Sequence, residues 1–557
     1  MSRSQVHGTA AWSLGSETIG ENLASTTAAH PDNEVLVSCH QGIRFTYGQF
    51  AVEVERVALA LLALGVDKGD RVGIWSPTCA EWTALQYARA RVGAILVNIN
   101  PAYRANELAY ALKLAGVSTL VAAPGFRGVD YLDMLASVRG EVPSLARVIV
   151  LGDVLSGGRA DLRWGDLAEL TVPRDRLTER EGELDADDPI NIQFTSGTTG
   201  NPKGATLTHH NILNNARTMA NVLGYTPADR VCVPVPLYHC FGMVAGNLSS
   251  TVSGATAVYP SDAFEPLSCL QAIAQERCTS VYGVPTMFIA QLDHPRFAEF
   301  DLTSLRTGIV GGAPCPVEVM KRVVNDMHLT EIANAYGMTE TSPASFMTRD
   351  DDTLDRRVYT VGTVLPHVES RIVDPATGRT VPSGAVGEVC VRGYLVMRGY
   401  WDDPAATAEA IDEGRWMHTG DLGVMDESGY LAIVGRIKEM VIRGGENIYP
   451  REIEDVLYQH PAVAAAQVFG IPDELMGEEL MAWISVREGA SVEPEEIREF
   501  CRERLARFKV PKQVKLVDSF PMTVTGKMQK FRMREMAIEE LGLQHLAGTI
   551  SATATTG

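Results

Sequence analysis

The segment from Phe194 to Gly204 reads FTSGTTGNPKG and directly follows the apolar run Ile190 to Ile192. Glycines and small hydroxyl residues let backbone N–H groups converge on phosphate oxygens, and a lysine adds a positive charge. A Walker-type loop is excluded, because no Gly-Lys-Ser/Thr triplet follows at the required spacing. The composition predicts a phosphate-binding loop rather than a flexible surface loop. The residues expected to bind phosphate are Thr195, Ser196, Gly197, Thr198, Thr199, Gly200 and Lys203.

A carboxylate and an aromatic side chain lie close together in the segment from Asn334 to Glu340, which reads NAYGMTE. Glu340 ends a glycine-containing turn, where a carboxylate is well suited to hold a hard cation against phosphate oxygens. Asn334 and Tyr336 are two residues apart, so on a strand both side chains face the same side. Without a neighbouring motif, a core tyrosine and a turn asparagine would explain this pair equally well.

Short β-branched runs alternate with amphipathic stretches from Arg71 onward, and this alternation predicts the elements that position these residues. The first runs are Val72 to Trp75, Ala80 to Arg91, Ala94 to Val97, Glu107 to Leu114 and Thr119 to Val121. Later strand candidates are Val231 to Val235, Ala255 to Tyr259, Ser280 to Val284, Gly308 to Val310 and Glu331 to Ala335. Repeated strand, helix, strand order implies mostly parallel sheets covered by helices, so we predict two α/β subdomains.

The pattern changes in the last third of the chain. After about Val361 helical patterns end, and turns separate short runs such as Glu369 to Val373 and Gly387 to Val391, which predicts a small β-rich subdomain. From about Lys438 we predict a compact α+β domain. Its expected elements are the helices Pro450 to Gln459 and Pro494 to Leu505 and the strands Ala464 to Phe469 and Met481 to Val486.

Composition narrows the functional class. The chain has 557 residues and a formal net charge of −20, which argues against non-specific nucleic-acid binding through clustered cations. The longest nearly apolar stretch, Val57 to Val66, falls well short of the ~20 residues that span a bilayer. Nine scattered cysteines without a Cys-x-x-Cys pair predict reduced thiols, and the N-terminal sequence MSRSQVH lacks the apolar core of a secretory signal. We therefore expect a cytoplasmic protein without stable membrane insertion.

Five segments occur in the order found in one enzyme superfamily: the phosphate loop, Tyr336 to Glu340, Thr419 to Asp421, Gly435 to Lys438 and Thr525 to Lys527. Together they resemble the adenylate-forming superfamily of acyl-CoA synthetases, carrier-protein adenylation domains and beetle luciferases. The resemblance extends from about Gly20 to Met536. It implies an α/β fold with a large N-terminal domain of two α/β subdomains plus a small β-rich subdomain, followed by a small mobile α+β C-terminal domain. The expected ranges are 1–435, a hinge at 436–438, 439–544 and a disordered tail at 545–557.

The resemblance implies a site for ATP and Mg²⁺ in the large domain. Glu340 and Thr195 are expected to bind Mg²⁺. Tyr336 is expected to stack on adenine, and Asn334 to bond its amino group, while the backbone from Gly311 to Pro314 lines the other side of the base. The expected nucleotide contacts also include Gly312, Ala313, Pro314, Ala335, Gly337, Met338 and Thr339.

The same resemblance assigns roles to charged residues in the last third of the chain. Asp421 is expected to accept from both ribose hydroxyls, and Arg436 to contact the ribose and phosphate. Lys438 matches the hinge residue at which the small domain swings in related enzymes. Lys527 is expected to bridge the attacking carboxylate and the α-phosphate, and so to stabilise charge as it moves.

A glycine turn formed by Gly444, Gly445 and Glu446 matches the loop that lines the pantetheine tunnel of similar CoA ligases after domain rotation. A cap for a helix starting near Arg451 is the alternative reading, and the two are compatible.

The segment from Pro236 to Gly242 matches the aromatic and histidine segment beside the carboxylate in the family, which places His239 near the reacting centre. The apolar residues that follow suit an acyl-chain tunnel, although an ordinary buried helix accounts for them equally well. The expected acid pocket comprises Tyr238, His239, Phe241, Met243, Val244, Gly311 and Gly337.

The resemblance implies an ATP-dependent fatty acyl-CoA synthetase, which forms acyl-AMP and pyrophosphate and then acyl-CoA and AMP, with ATP, Mg²⁺ and coenzyme A. The runs Gly204 to His209 and Gly526 to Phe531 look most like the medium-chain branch. The expected catalytic residues are Lys527, Glu340, Thr195, Lys203 and His239.

Two alternative functions stay open: a ligase for aryl or other acids, and an acyl-AMP ligase that loads a separate carrier protein. A regulatory nucleotide-binding protein is disfavoured, because no expected site residue is missing from the sequence. A homodimer is common among similar enzymes.

Overall fold

The computed structural model describes residues 3–152, 160–195, 202–313, 315–522 and 528–546. The chain divides into two compact units. The large unit comprises Val6–Ser370 and Val391–Met417, and the small unit comprises Met1–Gln5, Arg371–Cys390 and His418–Gly557. The predicted hinge at 436–438 and the domain ranges on either side of it stay predictions. The expected site residues that lie outside the described ranges are Ser196, Gly197, Thr198, Thr199, Gly200, Pro314 and Lys527, and most of the predicted tail lies outside them too.

The first sheet of the large unit is parallel over most of its width and antiparallel at one edge. Its strands, in spatial order, are Leu162–Arg163, Arg147–Val150, Thr119–Ala122, Arg71–Trp75, Ile95–Asn98, Pro189–Thr195, Lys203–Thr208 and Gly399–Tyr400. The parallel pairing ends at Pro189–Thr195, and the next two strands are antiparallel. Central strands such as Ile95–Asn98 are fully buried, as expected for a sheet covered on both faces.

The second sheet of the large unit is also parallel in its centre. Its strands, in spatial order, are Thr363–Val364, Ala344–Met347, Glu331–Gly337, Thr307–Gly311, Ser280–Gly283, Arg230–Cys232, Thr256–Tyr259, Glu34–Ser38 and Ile43–Thr46. Antiparallel strands close it at both edges. A separate short hairpin pairs Gly125–Phe126 with Val129–Asp130. The two predicted α/β layers are therefore confirmed.

Helices of the large unit follow the strands, as the predicted alternation requires. They are Ile19–Ala29, Tyr47–Ala63, Ala80–Val92, Ala105–Ala115, Tyr131–Val138, Arg174–Glu181, His209–Val222, Ser249–Val252, Pro266–Glu276, Pro285–Leu292, Val317–Asp326, Leu354–Tyr359 and Pro404–Ala410. Thr208 ends a strand and at once caps the helix His209–Val222 through a capping box, which makes that connection tight. Over the described part of the chain, no helix is both long and apolar enough to cross a membrane.

Two details of the predicted large unit are wrong. The strand expected at Val231 to Val235 ends at Cys232, because Pro234 and Pro236 lack the N–H group that a central strand must donate. Helical patterns do not end at Val361, since the helix Pro404–Ala410 lies beyond it. Asp403 caps that helix and Pro404 opens it, which suits a short alanine-rich segment.

The small unit combines two sheets with short helices. Most residues of one sheet belong to it, and that sheet has the strand order Gln5–His7, Val368–Val373, Val386–Gly393, Met417–Met425 and Leu431–Arg436. The other sheet contains Glu446–Ile448, Val441–Arg443, Gly477–Val486 and Val463–Asp473, with Gln513–Leu516 parallel to Gly477–Val486. The helices are Pro450–Leu457, Pro494–Arg502 and Lys530–Glu540. The predicted β-rich part and α+β part are both present.

Candidate active site

The two strands that flank the predicted phosphate loop form an antiparallel pair. Thr195 ends the first strand and lies opposite Lys203, which begins the second. The Thr195 hydroxyl donates to the Lys203 carbonyl at 3.4 Å. The Lys203 ammonium lies 5.1 Å from the centre of the Tyr400 ring, within the range of a cation–π interaction. The two residues that flank the predicted phosphate loop are thus paired with each other. Tyr400, which the sequence prediction did not include, contacts one of them.

Tyr400 connects this pair to Glu340. Its two-residue strand pairs with Lys203–Thr208, and its hydroxyl donates to Glu340 Oε1 at 2.9 Å. The backbone carbonyl of Glu340 accepts from the Met397 N–H at 2.9 Å, which fixes the segment beside the strand. Burial and the neighbouring Glu340 charge raise the pKa of Tyr400 well above its ordinary value, so the phenol is a proton donor at neutral pH.

The surroundings of Glu340 fit a hard divalent cation. Its residue surface is only 5% exposed, and burying a carboxylate is costly unless donors or a cation compensate. The turn Thr339–Thr341 that carries it packs against the strand beginning at Lys203. Carboxylate and hydroxyl oxygens are the donor types that Mg²⁺ prefers. The chemistry of Glu340 and Thr195 therefore suits the predicted ion.

The predicted base-binding residues lie at the carboxyl ends of two neighbouring parallel strands. Gly311 ends one strand and pairs with Ala335 near the end of the next. Gly312 follows in the left-handed region with a φ of 79°, and both it and Ala313 are exposed. Ligands of open α/β sheets bind at this edge. The structure therefore brings together the two segments that were predicted to hold adenine.

Asn334 is oriented by backbone groups. Its Nδ2 atom donates to the carbonyls of Thr360 at 2.9 Å and Arg357 at 3.2 Å, and its own N–H donates to the Thr348 hydroxyl at 2.8 Å. Because the nitrogen is used for these bonds, the amide oxygen is the group suited to accept from the amino group of adenine. Tyr336 lies two residues further along the same strand and is half-buried.

The turn after Tyr336 leaves no space for a side chain at Gly337. A Cβ atom there would lie 1.8 Å from the Pro343 carbonyl oxygen, so only glycine fits. The Met338 N–H donates to the Thr341 hydroxyl at 3.0 Å. The Thr339 hydroxyl accepts from the Cys240 thiol at 3.6 Å. This last contact places the predicted acid-binding segment beside the turn that carries Glu340.

The predicted acid-binding segment leads into a buried π-helix, Phe241–Leu248. The His239 carbonyl accepts from the Met243 N–H at 3.0 Å. The Nδ1 atom of the His239 ring accepts from the Phe241 N–H at 3.2 Å. π-Helical turns are rare and occur often at functional sites. Met243 and Val244 are fully buried, so a buried helix is confirmed. Its role as an acyl tunnel stays a prediction.

The same segment contacts both sheets of the large unit. The Tyr238 carbonyl accepts from Asn98 Nδ2 at 3.1 Å and from Gln193 Nε2 at 2.9 Å, both in the first sheet. The Phe241 ring stacks on Tyr282 of the second sheet, with ring centres 5.7 Å apart. The predicted acid-binding residues are thus held where the two sheets approach each other.

In the small unit, Asp421 and Arg436 face each other across neighbouring strands. They are register partners, and Arg436 Nε lies 2.9 Å from Asp421 Oδ1. Asp421 is buried, while the Arg436 side chain is 53% exposed. The structure therefore brings the predicted ribose-binding and phosphate-binding residues into direct contact.

A cluster that the sequence prediction missed adjoins Thr419 and Gly420, directly before Asp421. Glu388, Cys390 and His418 have ligand-type atoms within 4.8 Å of one another. His418 Nδ1 lies 2.8 Å from Glu388 Oε2, which is a hydrogen-bond distance, whereas two ligands of a tetrahedral zinc ion are about 3.3 Å apart. The geometry is that of a hydrogen-bonded cluster rather than a metal centre. Its only sequence signal is the position of His418 directly before Thr419.

Gly444 and Gly445 form the turn of a β-hairpin. Their φ angles of 59° and 88° are both left-handed, as a two-residue type I′ turn requires. The strands on either side are Val441–Arg443 and Glu446–Ile448, and the helix begins later, at Pro450. The alternative reading of these glycines as a helix cap is therefore wrong. Their role in binding coenzyme A stays a prediction.

An ion-pair cluster anchors the helix that follows the predicted Lys527 motif. Lys530 Nζ lies 2.7 Å from Glu454 Oε1 and 3.6 Å from Glu439 Oε2. Burial opposes the charged form, but the two carboxylates outweigh it and raise the pKa of Lys530. Glu439 directly follows the predicted hinge residue Lys438, which is exposed in a short 3₁₀ turn. The cluster thus connects the predicted hinge to the start of this helix.

Comparison with protein families gives two matches. Residues 23–401 match the AMP-binding enzyme family, and residues 452–527 match the AMP-binding enzyme C-terminal domain. Together they include most of the described candidate residues.

Full-length relatives are similar over nearly the whole chain. The acyl-CoA synthetase YngI of Bacillus subtilis (strain 168) is 46% identical over 541 residues, which cover 94% of this chain and 98% of the relative. The mitochondrial medium-chain acyl-CoA ligase ACSF2 of Danio rerio is 44% identical over 558 residues, with 98% and 92% coverage. The crystal structure of the anthranilate CoA ligase AuaEII with anthranoyl-AMP superposes with a TM-score of 0.84 at 27% identity, covering 94% of this chain and 97% of that one.

Proposed function

Because the chain belongs to the family of AMP-binding enzymes and is an AMP-forming acid–thiol ligase, we propose that it joins a medium-chain fatty acid to coenzyme A at the expense of ATP. The observation that carries this substrate class is the 44% identity, over 98% of the chain, to a medium-chain acyl-CoA ligase. The chemistry is supported by the large unit, where Lys203, Tyr400 and Glu340 lie together beside the predicted phosphate loop.

In the first proposed step, a carboxylate oxygen of the acid attacks the α-phosphorus of ATP. A new P–O bond forms, and pyrophosphate leaves with the electron pair of the broken bond. Lys203 would place positive charge near the phosphate oxygens, and Lys527 would do so at the α-phosphate while charge moves. Mg²⁺, when bound by Glu340 and Thr195, would neutralise charge on the phosphate oxygens.

The adenosine part of ATP would be held by polar and aromatic side chains. Asn334 would accept from the amino group of adenine with its amide oxygen, and Tyr336 would stack on the ring. Asp421 would accept from the ribose hydroxyls, with its orientation fixed by Arg436. The acid would lie near His239, with its chain directed along the π-helix Phe241–Leu248.

In the second proposed step, the thiol sulfur of coenzyme A attacks the acyl carbon of the adenylate. A C–S bond forms, the C–O bond to AMP breaks, AMP keeps the electron pair, and the thiol proton passes to solvent. Rotation of the C-terminal domain near Lys438 would exchange Lys527 for the hairpin turn of Gly444 and Gly445 at the reacting centre. That exchange allows one cleft to run both reactions.

The test is mass spectrometry of products formed by the purified protein with ATP, Mg²⁺ and a panel of straight-chain, branched and aromatic acids, with and without coenzyme A. We expect acyl-CoA and AMP, with the highest yield at medium chain length. Accumulation of acyl-adenylate without thioester, even with coenzyme A present, would contradict coenzyme A as the acyl acceptor. It would favour a ligase that loads a separate carrier protein.

Aromatic acids are the second candidate class. The observation that favours them is the similarity to an anthranilate CoA ligase at a TM-score of 0.84. In the same assay, thioesters formed mainly from aromatic acids would replace the fatty-acid assignment while leaving the reaction type unchanged.

The proposed compartment is the cytosol. All nine cysteines lie in the described ranges and none forms a disulfide, which suits a reducing environment. A homodimer is proposed as the assembly by analogy with similar enzymes, and light scattering of the purified protein tests it.

A further inference from the structure

One carboxylate holds the segment 418–421 of the strand Met417–Met425 at two places. His418 Nδ1 lies 2.8 Å from Glu388 Oε2, and the Gly420 N–H donates to Glu388 Oε1 at 3.1 Å. Gly420 has a φ of 70°, so the strand passes here through a left-handed conformation that glycine adopts without strain. Both oxygens of Glu388 therefore restrain a segment that contains an intrinsically permissive residue.

The restraint continues to Asp421 through Thr419. The Thr419 hydroxyl donates to the Val389 carbonyl at 2.7 Å and accepts from the Asp421 N–H at 3.1 Å. Val389 follows Glu388 in the same strand. The Asp421 carboxylate in turn contacts Arg436 at 2.9 Å. Hydrogen bonds through Thr419 thus connect the strand that carries Glu388 to the backbone of Asp421, whose carboxylate is predicted to bind ribose.

The contact between His418 and Glu388 is a charged one. Hydrogen bonds to the Cys390 thiol and the Glu388 carboxylate raise the pKa of His418 to about 10, so the imidazolium is present at neutral pH. The Glu388 residue is only 7% exposed. Hydrogen bonds between ionised groups are shorter and stronger than neutral ones, and partial burial limits screening by salt. Such a contact suits a fixed geometry better than a flexible one.

We propose that Glu388 and His418 are positioning residues for the ribose of ATP, which hold the segment 418–421 so that Asp421 presents its carboxylate to the ribose hydroxyls. This inference rests on the proposed function, because it takes ATP as the ligand and Asp421 as its ribose contact. Neither Glu388 nor His418 touches the nucleotide in this arrangement. Both act through the backbone of this segment.

A purely structural role would affect stability but not the discrimination between ATP and its deoxy analogues. The experiment therefore compares ATP with 2′-deoxy-ATP and 3′-deoxy-ATP, both in equilibrium binding by calorimetry and in kcat/KM for acyl-CoA formation. The wild-type protein is compared with Glu388→Gln, His418→Gln, Asp421→Asn and the double variant Glu388→Gln/Asp421→Asn. Two single substitutions in the cluster keep the test valid if one variant folds poorly.

A hydrogen bond to a charged group predicts that the wild-type protein prefers ATP over a deoxy analogue by about tenfold or more. We expect this preference to fall to within about threefold of unity in Asp421→Asn and to decrease clearly in Glu388→Gln and His418→Gln, with KM for ATP rising more than kcat falls. All three substitutions act on the contact between Asp421 and ribose. The double variant should therefore keep the same preference for ATP as Asp421→Asn alone. Glu388→Asp should recover part of the preference.

Glu540→Gln is the matched control. It removes a carboxylate from an ion pair with Lys515, elsewhere in the small unit, and should leave the preference for ATP unchanged. If Glu388→Gln discriminates between ATP and its deoxy analogues like the wild type, while Asp421→Asn does not, the positioning role of Glu388 is overturned. The ribose role of Asp421 would still stand.

A wild-type protein that binds ATP and both deoxy analogues equally would overturn the ribose role of Asp421 and this inference with it. The acyl-CoA measured in the same reactions reports separately on the proposed ligase. The two failures can therefore be told apart, because binding is measured whether or not product forms.

Discussion

Two nearly buried carboxylates, Glu340 in the large unit and Glu388 in the small unit, are held by different kinds of donor. Glu340 accepts from the neutral phenol of Tyr400, whereas Glu388 contacts the imidazolium of His418. The imidazolium balances the charge of Glu388 directly, whereas the phenol gives Glu340 a neutral hydrogen bond. We propose that Glu340 is the carboxylate for a bound cation and that Glu388 positions the backbone.

The largest expected effect follows from replacing Glu340. Glu340→Gln should lower kcat/KM for ATP by about a hundredfold to a thousandfold, because the proposed cation loses its carboxylate ligand. The melting temperature should stay the same or rise, since a buried charge is removed. Steady-state kinetics and thermal unfolding of the same preparation check both parts.

Glu388→Gln provides the contrast to that result. It should lower the melting temperature, because it weakens the pairing of His418, and should reduce kcat/KM for ATP less than Glu340→Gln does. Equal losses of kcat/KM in the two variants would contradict the different roles proposed for the two carboxylates.

A second prediction concerns the buried ion pair of Lys530. Lys530→Met should lower the free energy of unfolding by about 3 kcal/mol, because Glu454 would be left as a buried charge without its cation. Arg532→Met is the matched control on the same helix, since its ion pair with Glu535 is exposed and worth less than about 1 kcal/mol. Chemical denaturation followed by circular dichroism measures both, and similar losses would contradict the prediction.

The neutral donor to Glu340 can be tested directly. Tyr400→Phe removes the 2.9 Å hydrogen bond to Glu340 and should lower kcat/KM for ATP about tenfold. The ring over Lys203 is retained in that variant, so Tyr400→Leu should lose further activity through the cation–π contact. Full activity in Tyr400→Phe would show that Glu340 does not depend on the phenol.

The last expected effect is a pH dependence of stability in the small unit. The pKa of His418 is raised from 6.5 to about 10, so its contribution is complete below about pH 6.5 and is lost as pH rises through about 10. The groups that face it are Glu388, Cys390 and, next to the thiol, Arg371. Between pH 7 and 10 the free energy of unfolding should fall more steeply in the wild type than in His418→Gln. Parallel curves would contradict the assignment.

Much of the fold could be predicted because its signals are local. Buried strands such as Ile95–Asn98 are short, mostly apolar runs, and helices such as Ala105–Ala115 carry their buried residues at helical spacing on one face. The glycine turn at Gly444 and Gly445 was predicted, but its hairpin was not, and the alternative of a helix cap was wrong. The strands of the hairpin are only three residues long, and the proline that opens the helix lies several residues later. Short elements contain too few residues for a period to show.

The candidate site could be predicted only where a residue lies within a motif. Glu340 and Asp421 belong to such segments. Tyr400 does not, because its strand has two residues and its contact with Glu340 is separated by 60 positions. Glu388 likewise reaches His418 from 30 positions upstream. Strand pairing brings these partners together. The sequence of one segment does not show which distant segment will pair with it.

The most direct test of the contrast between the two carboxylates is a Mg²⁺ titration of acyl-CoA formation at fixed ATP and acid, for the wild type, Glu340→Gln and Glu388→Gln. We predict that Glu340→Gln raises the Mg²⁺ concentration needed for half-maximal rate by at least about tenfold, because the proposed ion loses its carboxylate ligand. Glu388→Gln should leave that concentration unchanged. An equal shift in both variants, or no shift in Glu340→Gln, would contradict the assignment of Glu340 as the cation-binding carboxylate.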